Sequence, residues 1–197
     1  MQIIEWETFL KEGLPVGTGF SAMTVGIFDG VHRGHRALIE RIIQYDKYLP
    51  VIITFKNNDK KPSNSQIGDI LNFGQKMRIF ECLGVAVTVS AELNESFMSM
   101  KGADFMSILR ERGKMGFLAI GSNFRCGAGR DTDAHKIQKL NAQAGVSTEI
   151  IEVLTEDGEA ISSSRIRNAI AQGRLKEAEA MLGRPFALNV SDATQQL

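Results

Sequence analysis

Apolar strand-like runs alternate with amphipathic helical stretches along nearly all of this chain, and that alternation restricts the fold more than any other feature. Residues 22–26 read as a buried strand, and Ala37, Leu38, Ile39, Ile42 and Ile43 follow at helical spacing beside Glu40 and Arg41. A second strand is read at 51–55. A helix follows at 75–83, with Met77, Phe80 and Leu83 on one stripe and Gly84 as its stop, and then a strand at 85–89. The pattern continues with a helix at 103–112 that carries Phe105, Ile108 and Leu109 inward, a strand at 117–120, a helix at 134–144 and a last clear strand at 146–154. This predicts an α/β fold, a five-stranded parallel sheet with helices on both faces, because parallel neighbours need crossovers and helical crossovers cover both sheet surfaces. Ligands of such folds bind at the carboxyl ends of the strands. The polar run 56–66, with Pro62 and three asparagines, is expected to be a mobile surface loop.

The first strand joins its helix through Gly26-Ile27-Phe28-Asp29-Gly30-Val31-His32-Arg33-Gly34-His35. Glycines let backbone N–H groups approach an anion closely, and a helix starting near Gly34 turns its positive end toward the same place. The arrangement suits a nucleoside triphosphate, with His32 and His35 as partners of its phosphates. In nucleotidyl transfer, charge builds on the α-phosphate and leaving-group oxygens, so catalysis is mostly positioning and neutralisation. Neither imidazole then needs to be a nucleophile or a strong base. Zinc would want a third ligand, and the remaining histidine, His135, lies in a distant polar helix, so no metal is assigned to the protein.

Two further segments carry candidate chemistry. Ile161-Ser162-Ser163-Ser164-Arg165-Ile166-Arg167 precedes a helical run. Its serines are helix caps, and Ser163 and Ser164 with the free N–H groups behind them can equally bind β- and γ-phosphates. Arg167 supplies a planar guanidinium for departing pyrophosphate. Residues two apart on a helix diverge, so Arg165 is left as a partly exposed neighbour. Gly121-Ser122-Asn123-Phe124-Arg125-Cys126-Gly127-Ala128-Gly129-Arg130 is a second glycine-rich turn. It reads either as the wall of an acceptor pocket, with Asn123 bonding a ligand and Phe124 lending apolar surface, or as a connection whose Phe124 fills the core. Cys126 reads as a packing residue rather than a reactive thiol.

Composition narrows the setting. The 197 residues are 43% hydrophobic, enough for one domain with a small appendage, and 23 basic residues balance 23 acidic ones. No broad basic field for nucleic acid is present. Cys82 and Cys126 form no CxxC pair, which fits a reducing cytoplasm, and residues 1–9 lack both a basic leader and a long apolar segment, so neither export nor membrane insertion is expected.

Taken in order, these segments resemble the FAD synthetase family, specifically the FMN adenylyltransferase module of the bacterial bifunctional riboflavin kinase and FAD synthetase. Residues 26–35 look like the family's form of the nucleotidyltransferase HxGH signature, 121–127 like its G-x-D/N-F-x-F-G loop, and 161–167 like its ISST/S-x-IR segment. Gly173-Arg174-Leu175 through Ala178 and then Leu182-Gly183-Arg184-Pro185-Phe186 resemble the close of that module. The resemblance implies a Rossmann-like nucleotidyltransferase domain over 1–186, a tail at 187–197, and the reaction of ATP with FMN to give FAD and pyrophosphate, with Mg2+ carried on the ATP phosphates. Carried over residue by residue, His32, His35 and Arg167 are catalytic, and Gly26, Ile27, Phe28, Asp29, Gly34, Ser163 and Ser164 bind nucleotide with the adenine near 26–28. Asn123, Phe124 and Arg125 face FMN.

The chain departs from that pattern in places. Where the family carries T-F-x-P-H-P it has Thr54-Phe55-Lys56-Asn57-Asn58-Asp59, which lacks a proline-stiffened histidine on the flavin side. Cys126 replaces an aromatic, and Ala160 stands where an arginine is frequent, so slower turnover is expected. The stretch after Phe186 is too short for a kinase barrel, so a separate riboflavin kinase is expected to supply FMN. Competing readings are a cytidylyl- or adenylyltransferase for another phosphorylated acceptor, and a nucleotide- or flavin-binding module without catalysis.

Overall fold

The structure, a computed structural model, describes residues 1–15, 17, 19–56 and 68–186. The tail at 187–197 and all of the expected loop except Lys56 lie outside the described residues. The order of elements is β1 (Gln2–Glu5), α1 (Trp6–Glu12), β2 (Ser21–Val25), α2 (Arg33–Ile43), β3 (Leu49–Lys56), α3 (Phe73–Cys82), β4 (Val87–Glu92) and α4 (Glu95–Ser99). There follow α5 (Gly102–Gly113), β5 (Met115–Gly121), a small hairpin β6 (Arg125–Cys126) and β7 (Thr132–Asp133), α6 (Ala134–Gln143), β8 (Ser147–Ile151), a second hairpin β9 (Thr155–Glu156) and β10 (Glu159–Ala160), α7 (Ser163–Ala171) and α8 (Leu175–Leu182).

The main sheet has six strands rather than the expected five, in the order β1-β4-β3-β2-β5-β8, and every pairing is parallel. The extra strand is β1. It is four residues at a sheet edge with only Ile4 buried, too short and too polar to register as an apolar run. Period-two alternation sends neighbouring side chains to opposite faces. Met23, Val25, Val51, Ile53, Leu118 and Ile120 pack with Phe9, Phe105, Leu109 and Ile137 from α1, α5 and α6. Ala22, Ile52, Phe117 and Ala119 pack with Ile39, Ile42, Met77 and Phe80 from α2 and α3. A third cluster joins Ile166, Ala169, Ile170, Ala178, Met181 and Leu182 of α7 and α8 to Ile70 and Ile161.

The topology fixes where a ligand can sit. The chain steps from β2 to β3 and β4 on one side, then crosses to place β5 and β8 on the other side of β2. The strand order therefore reverses at β2, and a crevice opens beyond the carboxyl ends of β2 and β5. The two glycine-rich turns leave those two strands, and the serine–arginine segment follows β8.

Candidate active site

Beyond Val25 the backbone turns sharply. Phe28 and Gly30 take left-handed conformations (φ 54° and 81°) on either side of Asp29, and a Cβ on Gly30 would lie 2.9 Å from Ile70 Cδ1. His32 is then the N-cap of α2, its Nδ1 accepting the His35 backbone N–H at 3.3 Å. An accepting Nδ1 carries no proton, so the ring hydrogen sits on Nε2. The two imidazoles stack with centroids 3.5 Å apart and planes 18° from parallel. Gly34 permits this, since a Cβ there would come within 3.3 Å of His32 Cε1 and Nδ1.

Burial drives the His32 pKa down to about 4, helped by the Arg184 guanidinium. Burial also holds His35 well below the usual histidine range, with the charges of His32 and Lys76 adding to it. Both rings are therefore neutral at pH 7 and act as hydrogen-bonding groups. His35 Nδ1 is buried without a protein partner. The His35 ring also meets the Phe28 ring edge-on at 5.2 Å. Alanine at His35 would accordingly cost packing.

Asp29, read from sequence as a nucleotide contact, borders the cleft and also knots the segments together. Its carboxylate accepts the Ile70 N–H at 2.9 Å and pairs with Arg167 Nη1 at 2.8 Å, while its backbone carbonyl accepts the Ser163 hydroxyl at 2.8 Å. Burial raises the Asp29 pKa, and the Ile70 N–H and Arg167 work against that rise. Arg167 Nε is buried and has no protein partner, and Nη2 reaches Ser164 Oγ at 3.5 Å. Ser162 caps α7 by accepting the Arg165 N–H. With the Ser163 hydroxyl hydrogen committed to Asp29, Ser163 offers an anion its first-turn backbone N–H, and Ser164 offers its backbone N–H and its hydroxyl hydrogen.

Arg165 diverges from Arg167 and is partly exposed, as expected, and it is also well partnered. Its side chain is 16% exposed, donates to the carbonyls of Glu156 and Glu159 at 2.8 and 3.0 Å, and pairs with Glu159 and Glu177. It holds the β9–β10 hairpin against α7 and α8.

In the second glycine-rich turn, Ser122 N–H bonds Ile151 O at 2.9 Å and Phe124 N–H bonds Gly121 O at 2.9 Å. Phe124 is half-buried against the core below and lines the cleft above. Asn123 and Arg125 are exposed. Burial, with Asp131 nearby, pushes the Cys126 thiol up to about 11, which makes it unreactive.

One cleft of about 1310 Å³ collects these parts. Its lining includes Gly26, Ile27, Phe28, Asp29, His32, Gly34 and His35 from the first turn, Asn123, Phe124 and Arg125 from the second, and Ser163, Ser164 and Arg167 from α7. Every site residue expected from the sequence thus faces one space. Residues the sequence did not single out support it. Arg184 donates to Gly30 O at 2.6 Å and Val31 O at 3.1 Å, and Lys76 lies beneath the first turn. Arg184 stood in a stretch noted only for its resemblance. A lysine amid the apolar stripe of α3 was the available signal for Lys76.

Comparison with known proteins adds an independent line. Residues 18–165 match the family model described as FAD synthetase. The chain is 32% identical over 178 residues to the bifunctional riboflavin kinase/FMN adenylyltransferase of Escherichia coli (strain K12), covering 85% of this chain and 55% of that protein. It is 29% identical over 175 residues to the protein of the same name from Buchnera aphidicola subsp. Acyrthosiphon pisum, covering 86% and 56%. The chain therefore spans little more than half the length of these relatives. Among solved structures, one titled macrolide-efflux protein from Streptococcus pneumoniae superposes with a TM-score of 0.81 at 24% identity, over 94% of this chain and 63% of that one, a likeness of fold. Among the described residues, no helix is long and apolar enough to cross a membrane.

Proposed function

The chain belongs to the FAD synthetase family, and on that premise we propose that its cleft joins ATP to FMN, giving FAD and pyrophosphate. The observation that carries this reading is the convergence of two anion-binding elements, the histidine turn and the first turn of α7, on one cleft, with Asp29 tying them together. A volume of about 1310 Å³ exceeds the roughly 300–1,000 Å³ usual for one small ligand, which suits two substrates end to end.

In this reading an FMN phosphate oxygen attacks the ATP α-phosphorus in line, a new P–O bond forms, and the bond to the bridging oxygen breaks as pyrophosphate leaves. His32, through Nε2–H, and His35 bond the α-phosphate region as neutral donors. The Arg167 guanidinium, with an unpartnered Nε, follows charge onto the leaving group. The N–H groups of Ser163 and Ser164 hold the β- and γ-phosphates, Ile27 offers the adenine an apolar edge, and Asn123, Phe124 and Arg125 border the flavin. No group of three or more His, Cys, Asp or Glu stands together among the described residues, so Mg2+ is assigned to the ATP phosphates and no step is routed through it. The relatives' names pair the activity with a riboflavin kinase, and we assign the supply of FMN to such a kinase, in the cytoplasm, where the free Cys82 and Cys126 stay reduced.

Incubation with FMN, ATP and Mg2+, followed by chromatography, is expected to yield FAD with matching pyrophosphate release. Glycerol phosphate and pantetheine phosphate, each with ATP or CTP, serve as rival substrates. Preference for a non-flavin acceptor, or tight binding of ATP and FMN without pyrophosphate release, would overturn the reading.

A further inference from the structure

Lys76 on α3 is 1% exposed, one of the largest fully buried side chains in the molecule, although it carries an ammonium. Its Nζ donates to Ile27 O and Phe55 O, both at 3.0 Å, and lies 5.7 Å from the centre of the Phe73 ring. Ile27 O also accepts the Thr54 hydroxyl at 3.2 Å. One carbonyl lies just past the end of β2, where the histidine turn begins, and the other lies at the end of β3. Lys76 is thus a clasp across two adjacent strand ends directly behind the cleft, without lining the cleft itself.

Removing an ammonium from water is costly, and a neutral donor could serve two carbonyls as well. What a neutral group cannot supply is charge. Among the described residues, the charged and titratable groups around Lys76 are His35 on α2, Asp29 in the histidine turn and Asp69 just before α3. Burial lowers the Lys76 pKa to about 8, with Asp29 and Asp69 pulling the other way, so the ammonium persists at pH 7. Its charge in turn disfavours protonation of His35.

We propose that Lys76 is a positioning residue of the triphosphate site, which locks the carbonyls of Ile27 and Phe55 so that the histidine turn keeps one shape around His35. The inference rests on the nucleotide reading above and adds a residue that acts through the turn rather than on the substrate.

The test compares the unaltered chain with Lys76→Met and Lys76→Arg, reading ATP affinity by calorimetry, FAD formation, and the His35 ring titration by NMR. In Lys76→Met, ATP affinity and kcat/KM are expected to fall roughly 10- to 100-fold, the scale of a misplaced site. The His35 titration is expected to move upward. Lys76→Arg, which keeps the charge, should hold that titration low and restore part of the affinity. In the unaltered protein the His35 ring signals should show a second inflection near pH 8 as Lys76 loses its proton. A folded Lys76→Met variant with unchanged ATP affinity or an unmoved His35 titration overturns the inference. If that variant does not fold, absence of the inflection in the unaltered protein does so. An unaltered protein that neither binds ATP nor forms FAD refutes the functional reading instead, before any variant is made.

Discussion

The two glycine-rich turns of this molecule leave adjacent strands, β2 and β5, and open onto the same cleft, yet they are built to different standards. The turn after β2 is buried from Phe28 to His32 and tied from every side: Lys76 and Thr54 hold Ile27 O, Ile70 and Arg167 hold the Asp29 carboxylate, Ser163 holds Asp29 O, and Arg184 holds Gly30 O and Val31 O. The turn after β5 is anchored mainly through backbone, by Ser122 N–H to Ile151 O and Ala128 N–H to Met100 O at 2.8 Å, and it leaves Asn123 and Arg125 exposed. Preorganised donors count most where charge develops in the transition state. A site whose first task is to receive a second substrate from solvent is served by accessible side chains instead. Substitutions of the cross-linked residues of the first turn are therefore expected to cost stability and rate together, and substitutions in the second to change acceptor binding alone.

The largest effect is expected at the link between the first turn and α7. Arg167→Ala removes a guanidinium from the cleft and strands Asp29, whose side chain is 5% exposed. FAD formation should fall by about 10²–10³, the range for losing one transition-state donor. Folding stability should fall by about 3 kcal/mol, measured by urea unfolding, because a buried carboxylate loses its partner. The double variant Asp29→Asn with Arg167→Ala should recover much of the stability and none of the rate. Recovery of both would assign Arg167 a structural role only and erase the contrast between the turns.

Acid should expose the same region. His32 has a folded pKa of about 4 against an ordinary 6.5, so between these values the unfolded chain binds a proton that the folded protein refuses. Stability is then full above pH 6.5 and falls as the pH drops toward 4, by about 3 kcal/mol in all, and His35 acts in the same direction. Denaturant midpoints measured from pH 7.5 to 4 give the slope, which should flatten in His32→Asn. A smaller effect is expected at Gly34. Gly34→Ala improves helix propensity by up to about 1 kcal/mol while pressing a methyl against the His32 ring. The expected result is a rate lowered about tenfold with unchanged or raised stability, and an unchanged rate would mean that the stacked geometry of the imidazoles is immaterial to turnover.

Much of this contrast was legible in the sequence, for stated reasons. Strands buried on both faces read as apolar runs, so β2, β3, β4 and β5 were visible, the edge strand β8 showed through its β-branched Ile150 and Ile151, and the turns that follow β2 and β5 carried glycines and polar groups where strands had to end. The edge strand β1 offered one buried side chain and escaped notice. The three segments could be assigned to one cleft because a parallel sheet places all its carboxyl ends together. Their cross-links could not, because Asp29–Arg167 and Gly30–Arg184 join residues 138 and 154 positions apart through a fold that no local pattern encodes. That is why the cross-linking roles of Asp29 and Arg165 were not read from the sequence, and Lys76 was not singled out at all.

The smallest effects, and the sharpest check on the comparison, are expected in the second turn. Asn123→Ala and Arg125→Ala remove exposed side chains that line the cleft, with no buried partner left unsatisfied. Surface changes of this kind shift stability by about 0.5 kcal/mol or less. A polar or charged contact made to FMN in both ground and transition states supplies uniform binding, so its loss raises KM for FMN by roughly threefold to tenfold with little change in kcat. ATP affinity, measured without FMN, should stay where it is, because the proposed nucleotide contacts lie in the first turn and α7. Arg125→Ala should show the larger KM change of the two and should lose the difference at high salt, as expected for an exposed charge meeting an anionic acceptor. A fall in ATP affinity matching the rise in KM for FMN would mean that the two turns form a single rigid site, and the division between a preorganised nucleotide half and an open acceptor half would have to be given up.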